Sequence, residues 1–440
     1  MGFRTSIANS DVAPIKNAGR RPRPVFYGWW IAATACLVWM LAYGVGVYGF
    51  VAFTKPLEET FGWGRSVQGG SITIFWATAM LTPFLGAWSD TRDPRPLVIL
   101  GAILEGLGFF LIAHIDAAWQ LFVLRALMGL GKLMMVLPIP VILSRWFSVH
   151  KGLAIGFAFS GAHLGGVLLA PFSYWLIASY GWRTAAIVLA VLLVVTVIPA
   201  VLVFFRVRSP ADLGLLCDGL PGMDAVSASA AATDGGLEFR QVIRHPLFWA
   251  IVGVTTITYF GYSAVFGQMT SYLTDSGVSA ARASRALGGM AGAAIVGVLG
   301  FGLAMDRFRP KVVLLSCLVL FAAGVSLLVA AGRSDAQWLL YAFITTFGLA
   351  IGGIDIVWVS LLTVCFGQRS FGAVCGTWYF FCLAMLTLGA IIAGAIYDVS
   401  HSYLAVFSVI IGSILLGTIV MASARIPPAP RQAPSTLGSR

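Results

Sequence analysis

The chain has 440 residues, 59% hydrophobic and only 10% charged, with a formal net charge of +11 and a mean hydropathy of +0.91. A water-soluble domain runs at about 45–50% apolar and about 25% charged residues. This chain cannot cover itself with polar surface, so a soluble enzyme is excluded, and the length leaves room for about twelve spans of ~20 residues.

The first 25 residues carry Arg4, Lys16, Arg20, Arg21 and Arg23 among prolines and run directly into a full-length apolar stretch. No short apolar core with a small-residue cleavage site precedes it, which predicts a retained cytoplasmic tail and not a signal peptide. Apolar runs then fall at 27–52, 67–89, 96–114, 118–144, 151–179, 183–205, 247–273, 283–305, 311–331, 337–364, 371–397 and 403–424. The longest polar interruption, 206–246, contains the Ser/Ala/Thr/Asp/Gly stretch Ser227 to Gly236, which reads as a flexible linker. The predicted fold is an all-α polytopic membrane protein of twelve helices in two pseudo-symmetric six-helix bundles, 26–205 and 247–424. A tail at 1–25, the linker 206–246 and a tail at 425–440 are all expected on the cytoplasmic side.

Basic residues set the orientation. With the N-terminus inside, 20 of the 28 Lys and Arg fall in cytoplasmic segments, six in outer loops, and two, Arg125 and Lys132, inside a span. The positive charge thus reflects topology and not nucleic-acid binding. Of the six cysteines, only Cys217 lies in a long loop and no C-x-x-C occurs, so neither a disulfide framework nor a metal site is indicated.

A repeat supports the halving. Gly86-Ala87-Trp88-Ser89-Asp90-Thr91-Arg92 follows the second span, and Gly302-Leu303-Ala304-Met305-Asp306-Arg307 follows the eighth, with the aspartates 216 residues apart. Tyr180 and Tyr397 are separated by 217. These loop sequences, with Arg125-x-x-x-Gly129-x-Gly131 in the fourth span, resemble the signatures of the major facilitator superfamily. Trp146-Phe147, Lys151-Gly152 through Gly156, Tyr180-Gly181-Trp182-Arg183 and Ser209-Pro210 through Asp218-Gly219 resemble its bacterial monocarboxylate and oxalate/formate branch. The chain departs from that branch: it has no Asp-Arg pair between 286 and 305, no cation in 371–397 and no lysine in the first span. The resemblance therefore implies the fold and alternating-access transport, but not a substrate.

Ionisable residues within apolar runs are expensive and default to functional candidates. Lys132, near half depth and seven residues from Arg125, forms with it a cation ladder suited to an anionic substrate, or else pairs with Asp355 or Glu105. Asp355 in the tenth span is the foremost candidate for proton coupling, with His163 and Glu105 behind it. Trp39, Tyr43, Tyr48, Tyr259, Tyr262, Trp358, Trp378 and Tyr379 offer apolar faces with polar handles, and of these Tyr43, Tyr259, Tyr262, Trp358 and Trp378 are the candidate substrate contacts. By resemblance, Asp90 with Arg92, and Asp306 with Arg307, gate the cytoplasmic side. Glycines Gly152, Gly156, Gly161 and Gly165, with Gly372, Gly376, Gly389 and Gly394, are expected at the sliding contact between halves.

No metalloprotease, nucleophile-elbow or Walker motif occurs, which argues against an enzyme or an ATP-driven pump. The expected function is secondary transport of a small organic anion, a monocarboxylate, with a proton across the cytoplasmic membrane by a monomer without cofactors. The alternatives are proton-driven efflux of hydrophobic or aromatic compounds, and anion exchange.

Overall fold

The computed structural model describes residues 26–207, 210–213, 217–219, 236–334 and 336–424. The expected tails, 1–25 and 425–440, and all but Gly236 of the polar stretch 227–236 lie outside these residues. Among the described residues the chain is helical, apart from turns and one isolated bridge between Gly236 and Gly367.

Eleven helical stretches are long and apolar enough to cross a membrane, and one of them, Lys151–Phe204, is 54 residues long. Helix α1, Tyr27–Tyr43, continues into a π-helical segment, Gly44–Gly49. Helix α2 runs from Arg65–Ala77 through a 3-10 turn, Thr78–Leu81, into Thr82–Thr91. Helix α3 is Pro94–Ile112, and α4 is Ala118–Val136 extended by Pro138–Trp146. The 54-residue run holds two helices, α5 and α6, divided at Gly181, whose φ of 79° only glycine adopts readily. Helices α7 to α12 are Pro246–Asp275, Ala280–Arg307, Pro310–Ala331, Gln337–Phe366, Phe371–Ser400 and Tyr403–Ser423. All twelve predicted runs are helices.

Local chemistry explains the boundaries. Pro94, Pro246 and Pro310 open their helices at positions whose N–H would be unpaired. Asp93 caps α3 by accepting the Arg95 amide at 3.1 Å. Side chains such as Phe84, Trp119, Val195 and Ile419 are more than half exposed on the outer faces, as lipid-facing surfaces require.

Packing recurs along the chain. Helix α1 packs on α5 as α7 packs on α11, and α3 packs on α4 as α9 packs on α10. The first six helices meet the last six through α2 against α11 and α5 against α8. Both junctions are backbone against backbone. A methyl group on Gly86 would overlap the Gly372 carbonyl, and one on Gly152 would overlap the Gly302 carbonyl. Gly156 and Gly376 likewise face α8 and α2. Gly161 and Gly165 instead pack on α1, and Gly389 and Gly394 face α7, so those four serve packing between neighbours and not the junction between halves.

The stretch between α6 and α7 is anchored at both ends of its described part. Asp218, in left-handed backbone at φ 59°, accepts the amides of Ser148 at 2.8 Å, Val149 at 2.7 Å and His150 at 3.2 Å just before α5. The Leu237 amide donates to the Phe366 carbonyl, and Glu238 pairs with Arg369 at 3.0 Å.

Candidate functional site

Where α1, α2, α5, α7, α10 and α11 converge, they enclose a cavity of about 450 Å³. Its wall is largely aromatic: Trp39, Tyr43 and Tyr48 from α1, Trp76 from α2, Phe159 from α5, Tyr259 and Tyr262 from α7, and Tyr379 from α11. Trp39 stacks on Tyr43, with centroids 5.2 Å apart and planes 6° from parallel, and touches Phe159 at 4.1 Å. Asp355 is the one formally charged residue among the described lining residues, and it accepts a hydrogen bond from the Tyr259 hydroxyl. His163 also lines the wall and has no hydrogen-bond partner among the described residues. It faces a second space of about 240 Å³ as well, which continues between Tyr48 and Tyr262 toward Leu287 and Met290 of α8.

The cavity is sealed at the end where α2 turns into α3 and α8 into α9. There Asp90 accepts the amides of Gly372 at 2.6 Å and Ala373 at 2.9 Å, at the N-terminus of α11. Asp306 does the same to Gly152 at 2.6 Å and Leu153 at 2.9 Å, at the N-terminus of α5. A helix N-terminus carries orphan N–H groups and partial positive charge, so a carboxylate docks there favourably. The two aspartates thus stand at equivalent junctions. Their expected arginine partners do not join them: Arg92, in extended backbone at the end of α2, lies over the Trp88 ring at 5.2 Å, and Arg307 is exposed. The cation near Asp90 is Arg145 of α4, which also donates to the Ser89 carbonyl at 3.3 Å.

The span-four cations are not in the wall. Lys132, 1% exposed, has its ammonium 3.9 Å from the Trp76 ring centre, 5.1 Å from Tyr43 and 5.2 Å from Phe75, so Trp76 and Tyr43 stand between it and the cavity. Arg125 is sandwiched between Phe50 at 3.8 Å and Phe75 at 4.2 Å and donates to the Gly46 carbonyl at 3.0 Å. The acid interacting with both cations is Glu105 of α3, not Asp355. Glu105 is fully buried, and neither carboxylate oxygen has a hydrogen-bond partner among the described residues. It abuts Gly46 so closely that a methyl there would overlap Oε1, which accounts for a glycine within the π-helical segment.

The structure therefore gathers Tyr43, Tyr259, Tyr262, Asp355 and His163 around one cavity and sets Lys132, Arg125 and Glu105 behind its wall. Trp358 and Trp378 line neither space; both are fully buried between helices. Sequence reasoning missed Trp76 and Phe159. The span of Trp76 holds no ionisable residue to flag it, and Phe159 is one of 30 phenylalanines.

Residues 34–302, and again 251–439, match the family model of the Major Facilitator Superfamily. The chain belongs to that superfamily. It is a polytopic membrane transporter and not an enzyme. Monocarboxylate transporter 13 of Bos taurus is 27% identical over 401 residues, covering 89% of this chain and 87% of that protein. Monocarboxylate transporter 11 of Homo sapiens is 28% identical over 406 residues, covering 90% and 72%. The solved structure of the proton:xylose symporter XylE bound to 6-bromo-6-deoxy-D-glucose superposes with a TM-score of 0.74 at 13% identity, covering 91% of this chain and 96% of that one. At that identity the likeness is one of fold.

Proposed function

We propose that this superfamily member is a secondary transporter that carries a small organic monocarboxylate together with a proton across the cytoplasmic membrane by alternating access. In this reading, 26–205 and 247–424 are two six-helix bundles joined by the cytoplasmic segment 206–246, both termini are cytoplasmic, and the protein acts as a monomer. The recurring helix pairs and the inward excess of basic residues support that arrangement. The sealed end is then cytoplasmic, and the cavity belongs to the outward-facing state.

The observation that carries the reading is the aromatic cavity with the Asp355–Tyr259 pair in its wall. Tyr43, Tyr259 and Tyr262 hold the apolar body of the substrate and offer hydroxyl donors to it. Asp355 takes the proton, so that a carboxylate enters without meeting a bare negative charge. The relatives named as monocarboxylate transporters support the substrate class.

A second reading has an observation of its own. With Asp355 as the formally charged lining group, the cavity also suits proton-driven export of neutral or cationic aromatic compounds. Proteoliposomes with an inward proton gradient separate the two. Accumulation of labelled benzoate but not benzamide supports carboxylate symport, and proton-gradient-driven movement of benzamide with no response to benzoate favours the second. Benzoate countertransport that ignores the gradient identifies an exchanger.

A further inference from the structure

We propose that Trp76 is a movable screen over a latent anion subsite, and that the substrate carboxylate reaches the Lys132 ammonium when the indole swings aside. The proposal rests on the carboxylate-transport reading and adds the group that holds the anion.

Three features carry it. Lys132 is buried, yet its ammonium makes no hydrogen bond or ion pair among the described residues and is held by ring faces alone. Ring faces satisfy charge but not the three N–H donors, and a carboxylate oxygen satisfies both. Glu105 supplies opposite charge from α3 without reaching hydrogen-bond distance, so the donors are still available.

Trp76 is the thin part of the wall. One side of the indole covers Lys132 and the residue lines the cavity, so a single ring separates the ammonium from the substrate space. The indole is only partly buried, and its N–H donates to nothing among the described residues. Tyr43, the other ring in between, is held by its stack on Trp39, and Phe75 is fully buried. Directly after Trp76 the helix tightens into the 3-10 turn Thr78–Leu81, the kind of mid-helix irregularity that often marks a hinge.

The charged groups facing Lys132 are Arg125 on its own helix and Glu105 of α3; Tyr43, Phe75 and Trp76 complete its surroundings. An arriving carboxylate thus joins two cations and one acid, and it neutralises the group.

The test uses the full chain with its six cysteines replaced by serine and with Lys132→Cys, treated with the anionic thiol reagent 2-sulfonatoethyl methanethiosulfonate. With Trp76 present, labelling is slow; with Trp76→Ala it accelerates several-fold, because the ring between the thiol and the cavity is gone. Trp76→Phe, which keeps an apolar ring and guards against misfolding, gives an intermediate rate. Equal rates in all three backgrounds overturn the screen. In the native-cysteine protein, Trp76→Ala lowers the KM for benzoate uptake, and Lys132→Gln abolishes saturable uptake. Uptake of benzoate with unchanged labelling removes the screen and leaves the transport reading intact. Accelerated labelling without uptake of any carboxylate keeps the screen and removes the transport reading.

Discussion

Asp90 and Gly372 lie 282 positions apart in the chain, yet the Asp90 carboxylate accepts the Gly372 amide at 2.6 Å and closes α2 onto the first turn of α11. A carboxylate at a partly buried helix N-terminus contributes up to about 2 kcal/mol. Asp90→Asn keeps the shape and one acceptor but loses the charge, so the sealed end opens more often. Cys375, buried one turn further along α11, is a native reporter. Its thiol labelling from the sealed side should rise several-fold in Asp90→Asn while turnover falls. Unchanged labelling and unchanged turnover would remove Asp90 from gating.

The glycine junctions make a steric prediction. Gly86→Ala places a methyl against the Gly372 carbonyl, and neither backbone can yield without separating α2 from α11. Overpacking of this kind costs about 1–3 kcal/mol. The variant should insert and purify normally but lose most of its transport, with the sealed end permanently leaky to thiol reagents. Gly253→Ala, where nothing lies within 4 Å, is the matched control and should transport at the wild-type rate.

Glu105→Gln should be the most destabilising single polar substitution in the membrane interior. It leaves Arg125 and Lys132 buried without their acid, and breaking a buried charge group typically costs about 3–5 kcal/mol. Thermal unfolding in detergent should show a larger fall in Tm for Glu105→Gln than for Asp355→Asn. Adding Lys132→Gln to Glu105→Gln should recover part of the loss. A double variant no more stable than the single one would show that Glu105 does not balance that cation.

Asp355→Asn keeps the Tyr259 contact possible while removing the titratable group. The variant should bind benzoate and exchange it across a proteoliposome membrane, yet fail to concentrate it when a proton gradient is imposed. Retained accumulation would move the proton site to His163, which shares the same wall, or to Glu105 behind it.

Elements were far more legible than contacts. Runs of apolar residues and their proline and glycine punctuation delimit every span, because crossing a membrane imposes length and composition directly on the chain. Asp355, Tyr43, Tyr259 and Tyr262 were legible as cavity residues, since polar groups in such runs need partners. Lys132 was expected to meet the substrate directly and stands behind the cavity wall, because helical spacing gives a face and not what stands in front of it. Only the fold brings Trp76 of α2 over an α4 lysine 56 residues away. Gly161 and Gly376 look alike in sequence, and which neighbour each approaches depends on helix order in space.

The backbone-to-backbone character of the two glycine junctions has a thermal consequence. Parting Gly86 from Gly372 and Gly152 from Gly302 breaks amide–carboxylate contacts but uncovers little hydrocarbon at those points, since the atoms nearest the four glycines are backbone and carboxylate apart from one Ile356 methyl. Heat-capacity changes follow apolar area exposed to water. The balance between the sealed and unsealed forms should therefore carry a small heat capacity. A van't Hoff plot of that balance should be nearly straight over the growth range, so that cooling slows the transporter without trapping it in one form.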